Sequence, residues 1–204
     1  MSQFYLASKS PRRSQILREI GFRDFTVLSD NTVATAFAGD EERLAGEDPA
    51  TYVLRTAREK AFRALERIEK ENLPRLPVLA SDTAVILGDV ILGKPRDREE
   101  EKQFLRKLSG ATHTVRTVVV LANGAENILE AVSVSSVRFR KLTEAEIDWY
   151  SALTEPYDKA GGYAIQGLAA PFVEHIEGSY SGIMGLDAYS VSKLLTSLGI
   201  KRSE

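Results

Sequence analysis

Residues 4–21 read F-Y-L-A-S-K-S-P-R-R-S-Q-I-L-R-E-I-G, and this one stretch decides the fold class. Phe4 to Ala7 is a short apolar run bounded by polar residues, which predicts a buried strand. Ser10-Pro11 then opens a helix in the preferred order, a capping residue followed by proline in the first turn. Ile16, Leu17 and Ile20 give that helix an apolar face, and Gly21 ends it. A strand that passes through a polar loop directly into a helix is the start of an α/β architecture.

The chain repeats this alternation. Phe25 to Leu28 predicts a second strand, followed by a long polar stretch from Ser29 to Asp48 of the kind that marks a functional loop. Asp48-Pro49 caps a long helix in which Val53, Ala57, Ala61, Phe62, Leu65 and Ile68 follow helical spacing, leaving Arg55 and Lys60 on other faces. Val78 to Ala80 predicts a central strand, and Val85 to Leu92 a hairpin turning at Gly88-Asp89. Asp97 caps the next helix, with Glu99, Glu100 and Glu101 in its electropositive first turn and Gly110 beyond its end. Thr114–Leu121 and Ile128–Phe139 form a second hairpin around Asn123-Gly124. Val132 and Val134 fall on the opposite parity to Val137 and Phe139, which predicts a bulge. Thr143 with Glu146 is a capping box. Two short strands and a last helix over Leu186–Leu198 complete the pattern. Strands, helices and hairpins in this order predict an α/β protein with a mixed sheet. No repeat, low-complexity tract or separable linker divides residues 1–204, so they are read as a single domain.

Composition removes whole classes of chemistry. Without cysteine there is no disulfide, iron-sulfur cluster, thiolate zinc site or cysteine nucleophile, and two histidines do not make a multi-histidine cage. With 27 basic against 29 acidic residues, the net charge of -2 supplies no global field for a nucleic-acid polymer or an anionic membrane. At 8% aromatic residues, with no stacked aromatic strand motif, there is little platform for single-stranded polymer either. No apolar run approaches the roughly 20 residues of a membrane span, so a cytoplasmic location is the expectation.

What remains is local. L-A-S-K-S-P-R-R sets Ser8, Lys9, Ser10, Arg12 and Arg13 around a helix N-terminus, where amides and dipole attract an anion and cations are normally avoided. Without an anion those arginines would fan into water or pair with Glu19. V-L-A-S-D-T puts Asp82 and Thr83 just after a buried strand, where open α/β sheets expose ligand-binding groups, although turn aspartates are common there too. I-L-G-K-P holds Lys94 between a permissive glycine and a stiffening proline. D-K-A-G-G-Y-A-I-Q-G carries Asp158, Lys159 and Gln166 on a glycine-rich segment feeding a strand. The Gln166 amide, donor and acceptor at once, suits the edge of a nucleobase, as it also suits an exposed strand face. S-Y-S-G-I-M-G, residues 179–185, reads as structural support. Five cations (Lys9, Arg12, Arg13, Lys60 and Lys94) together with carboxylates at a strand end are the equipment for a polyphosphate and its metal.

In motif content the chain resembles the Maf family of nucleoside triphosphate pyrophosphatases, akin to the inosine triphosphate pyrophosphatase fold. L-A-S-K-S-P-R-R, G-E-D-P-A-T-Y-V-L-R-T-A-R-E-K-A, S-D-T-A-V, G-K-P, K-L-S-G-A-T-H-T-V-R-T and D-K-A-G-G-Y-A-I-Q-G occur in the family's order and similar spacing, nearly end to end. The resemblance implies a mixed, twisted sheet with helices in two lobes around a central cleft. It also implies hydrolysis between the α and β phosphates to a nucleoside monophosphate and pyrophosphate, with a divalent cation, Mg²⁺ or Mn²⁺, in a cytoplasmic homodimer. Carried over by motif, Asp82 is the general base. Glu41 and Asp82 lie near the metal, Glu41 being reached by counting back from Gly46-Glu47, with Glu42 as its rival. Ser8, Arg12, Arg13, Lys60 and Lys94 grip phosphates. The D-K-A-G-x-Y-x-I-Q-G form resembles the branch acting on dTTP and UTP, in which Arg12, Thr83 and Gln166 are tied to base choice. Asp187 stands where the family usually has proline. Two other classes stay open at this point: a nucleotide-binding regulator of division with little turnover, and a phosphatase that releases orthophosphate.

Overall fold

The computed structural model describes residues 1–28 and 43–203. The strands are β1 (Phe4–Leu6), β2 (Phe25–Val27), β3 (Val78–Leu87), β4 (Val90–Leu92), β5 (Thr112–Ala122), β6 (Ile128–Phe139) and β7 (Val173–Glu177). The helices are α1 (Pro11–Glu19), α2 (Pro49–Lys70), α3 (Arg98–Leu108), α4 (Glu144–Ser151), α5 (Tyr180–Ile183) and α6 (Ala188–Ser197), with short 3-10 turns between α4 and β7. The strands make one seven-stranded sheet in the order β2-β1-β3-β5-β6-β7, with β4 paired to β3. β1 runs parallel to both β2 and β3, whereas β3–β4 and β6–β7 are antiparallel, so the sheet is mixed as expected. Two compact units share the chain. One comprises residues 1–82, 117–132 and 185–204, the other 83–116 and 133–184.

In the first unit, β1 is buried along its whole length, and α1 buries Ile16 and Leu17. Asp48 caps α2 by accepting from the amides of Ala50 (2.9 Å) and Thr51 (3.1 Å), with Pro49 in the first turn. The buried face of α2 runs Tyr52, Val53, Thr56, Ala57, Ala61, Ala64 and Ile68. Phe62, placed on that face by sequence spacing, is instead 38% exposed. Asp187, where the family usually has proline, caps α6 by accepting from Ser190 N at 3.1 Å.

The second unit has its own core of Leu92, Leu105, Leu108, Val137, Phe139, Ile147, Tyr150 and Phe172, among others. The β3–β4 hairpin closes at Gly88-Asp89, Leu87 facing Val90, with Gly88 at φ +60°. Asp97 caps α3 through Glu100 N at 2.9 Å, and the Thr143–Glu146 capping box is fully formed.

Three expectations are corrected. Val78–Ala80 and the first hairpin arm are one continuous strand, because residues 84–87 keep the strand going to its pairing with β4. In β6 Val132 and Val134 are 46% and 54% exposed while Ser135, Val137 and Phe139 are buried, so burial alternates without a phase change. The strand does carry a bulge or irregularity, placed at Arg138/Phe139 against β7 and not between Val134 and Val137. Finally, the residues around Gln166 form a turn, closed by Gly167 N to Ala164 O at 3.0 Å, not a strand.

Candidate active site

β1 ends before β3 does. Leu6 pairs with Leu79 and Ala7 N donates to Leu79 O at 2.8 Å, after which the first strand turns off into the Ser8–Ser10 loop. Ser81 and Asp82 therefore stand mid-strand on β3, just past its parallel pairing with β1. Asp82 is inside a strand and not after one, which corrects the sequence reading. Successive side chains on a strand leave by opposite faces, so these two residues can be gripped by different elements.

Ser81 Oγ donates to the Gly185 carbonyl at 3.0 Å, and Arg13 Nε donates to the same oxygen at 2.8 Å. Arg13 Nη1 also donates to Ser8 Oγ at 3.1 Å. The arginine is thus folded across the loop that precedes its own helix. Ser8 Oγ further accepts from Ser10 N at 3.2 Å, whereas Ser10, expected as the side-chain cap, makes no capping hydrogen bond. Arg12 is half-buried on the first turn of α1, and Lys9 is exposed.

Asp82 leaves by the other face toward α2. Lys60 Nζ lies 2.5 Å from its Oδ1, and Thr56 Oγ1 donates to its Oδ2 at 2.6 Å. Both oxygens are held from one stripe of one helix, since residues at i and i+4 lie one above the other. Asp82 is only 8% exposed, so an ionised carboxylate there needs such partners. Ahead of α2, Arg55 grips Glu47 with Nε (2.7 Å) and Nη2 (2.9 Å), which holds the Glu47 carboxyl below the usual range and ties residues 43–48 to the helix.

The structure therefore joins Ser8, Arg13, Lys60 and Asp82 in the first unit, linked through Ser81 and Gly185. Thr83, Lys94 and Gln166 belong to the second unit. Thr83 follows Asp82 on β3 and leaves by the opposite face, Lys94 is exposed just after β4, and Gln166 is exposed in its turn. Glu41, like Glu42, lies outside the described residues. Two contributors were not read from the sequence. Thr56 could have been found from its helical spacing to Lys60; Gly185 acts through a backbone oxygen, which no side-chain pattern encodes.

Among the described residues no group of three or more histidine, aspartate or glutamate side chains gathers as a ready-made metal cage. A hard cation such as Mg²⁺ does not require one, because it keeps several waters and takes one or two carboxylates plus substrate phosphates. Asp82 supplies hard oxygens of that kind. Among the described residues, no helix is long and apolar enough to cross a membrane.

The fold sets the class. The structure of a HAM1 protein from Coxiella burnetii superposes with a TM-score of 0.54 over 97% of this chain and all of that one, at 16% identity, and so shares the architecture. Sequence narrows it further: the family model described as "Maf: Maf-like protein" matches residues 3–198, and the chain belongs to that family. Among its relatives is the dTTP/UTP pyrophosphatase of Bordetella avium, 48% identical over 97% of this chain and 96% of that one. The protein of the same name from Pasteurella multocida is 47% identical over 98% and 97%.

Proposed function

We propose that this chain is a nucleoside triphosphate pyrophosphatase of the dTTP/UTP type, releasing the nucleoside monophosphate and pyrophosphate. The observation that carries the reading is the partnered Asp82 carboxylate, in a chain almost half identical to proteins named for that activity along their full length. Attack of a water oxygen on the α phosphorus forms one P–O bond and breaks the bridging P–O bond to the β phosphorus. Asp82 accepts the water's proton, and the electron pair of the broken bond leaves on pyrophosphate. Ser8, Arg12, Arg13, Lys60 and Lys94 are assigned to the phosphates, where fixed donors and cations stabilise charge that grows in the transition state. Lys60 has a double part: it balances Asp82 before the reaction and turns to the phosphates when the substrate binds, leaving Asp82 to take the water's proton. A divalent cation, Mg²⁺ or Mn²⁺, would be held by Asp82 with Glu41 and would supply charge neutralisation at the phosphates. Arg12, Thr83 and Gln166 are assigned to base choice. The family resemblance adds a cytoplasmic homodimer to this reading.

The test is a nucleotide panel with product analysis in Mg²⁺ or Mn²⁺. UMP and pyrophosphate from UTP, and dTMP and pyrophosphate from dTTP, are the expected products. UDP and orthophosphate, or binding without turnover, would overturn the reading.

A further inference from the structure

Thr56 is 1% exposed in the middle of α2, where a threonine hydroxyl ordinarily bonds back to the carbonyl one turn earlier. Such carbonyls are in reach, Tyr52 O at 3.0 Å and Val53 O at 3.1 Å. The hydroxyl has one proton, however, and the nearest acceptor is Asp82 Oδ2 at 2.6 Å, within the range of an O–H donated to a charged oxygen. The two groups that hold Asp82 differ in kind. Lys60 has a long, flexible side chain that is 29% exposed, free to exchange one anionic partner for another. Thr56 is β-branched and buried, with few rotamers to visit.

We propose that Thr56 is a positioning residue for catalysis: its hydroxyl fixes the Asp82 carboxylate while Lys60 turns to the phosphates of the substrate. The inference rests on the reading of Asp82 as the base. It asks nothing of Thr56 in binding, because the hydroxyl is committed to Asp82 Oδ2 and the side chain is 1% exposed; its work is to keep Oδ1 aimed at the attacking water. Misaiming a base by a fraction of an ångström is expensive, and a hydrogen bond to a charged group sets the scale of the loss at about tenfold.

The experiment compares Thr56→Val, which removes the hydroxyl but keeps the branch, with Thr56→Ser, which keeps the hydroxyl, alongside Asp82→Asn. For Thr56→Val, kcat for UTP is expected to fall about tenfold with KM and the UTP dissociation constant within about twofold of wild type. Thr56→Ser should restore most of kcat. Melting curves establish that each variant is folded, and Thr56→Ala takes the place of Thr56→Val if the valine variant is not. Unchanged kcat in the hydroxyl-free variant, or equal losses in the valine and serine variants, overturns the role of Thr56 while an inactive Asp82→Asn leaves the base in place. Full turnover by Asp82→Asn overturns both.

Discussion

Among the buried carboxylates of the described residues, Asp82 and Glu101 have opposite company. Asp82, in the first unit, has a cation on one oxygen and a hydroxyl on the other. Glu101, on α3 in the second unit, is fully buried, and neither of its oxygens has a hydrogen-bond partner. Burial drives the Glu101 carboxyl up to about 9, so it is a neutral acid at physiological pH. The contrast shows that burial alone does not set a carboxylate's surroundings: Asp82 is buried with partners on both oxygens, Glu101 with none on either.

The widest separation between the two should appear in stability against pH. Glu101 has an ordinary value of 4.5 in the unfolded chain and about 9 in the fold. Below the lower value it is protonated in both states and costs nothing extra. As pH rises the unfolded chain loses the proton first, so stability falls by about 1.4 kcal/mol per pH unit until the folded carboxyl also ionises. Glu101→Gln removes this slope while keeping the shape. Relative to wild type it should differ by less than about 1 kcal/mol at pH 5 and be more stable by roughly 5 kcal/mol at pH 8, read from urea midpoints across that range. A constant difference across pH would show that Glu101 is charged in the fold.

The same carboxyl explains a glycine. A Cβ on Gly162 would come within 1.8 Å of Glu101 Oε2, and Gly162 sits at φ +72°, where side chains are strained. Gly162→Ala should cost about 3 kcal/mol by chemical denaturation. Adding Glu101→Ala should return the steric part and leave the backbone part. An undiminished penalty in the double variant would mean that the carboxyl is not the obstacle.

At Asp82 the effect moves from stability to turnover. Asp82→Asn keeps a planar side chain but cannot accept the proton, so kcat should drop ~10²-fold or more while nucleotide binding persists. Steady-state kinetics with an equilibrium binding measurement separates the two, and a loss confined to binding would move Asp82 out of the base's role.

The sequence made these two carboxylates legible to different degrees. Asp82 was found because S-D-T follows an apolar run and sits in an ordered set of motifs. Its position inside a long strand was hidden because Ser81, Asp82 and Thr83 look like a break; Lys60, Thr56 and the Gly185 carbonyl satisfy the polar groups of the first two and let the strand continue. Glu101 was read only as one of three acids in an electropositive first turn. Yet Glu101, Phe104, Leu105 and Leu108 have the i, i+3, i+4, i+7 spacing of a buried stripe, and all four are buried. The periodicity was present, and the chemical habit of glutamate overrode it. The caps at Asp48, Asp97 and Thr143 and the turn at Gly88-Asp89 were legible, since each depends on neighbours within a few residues, whereas Ser10 makes no side-chain cap. The Gln166 segment was not, because Gly161 and Gly162 both take positive φ and a strand cannot pass through them.

The smallest test concerns another buried titratable group of the second unit. His113 Nε2 lies 2.7 Å from Tyr163 Oη, while its Nδ1 is buried without a partner. Burial pushes its pKa down to about 4, so this imidazole is neutral wherever Glu101 is costly. Tyr163→Phe removes the hydroxyl but leaves the ring, which packs edge-on against Phe139 at 4.9 Å and His113 at 5.4 Å. Only the hydrogen bond is lost, so stability should fall by about 1 kcal/mol, with turnover per folded molecule unchanged. The loss should be the same at pH 6 and pH 8, because His113 stays neutral in the fold at both. A loss that grows toward acid would show that the hydroxyl stabilises a charged imidazole instead of a neutral one.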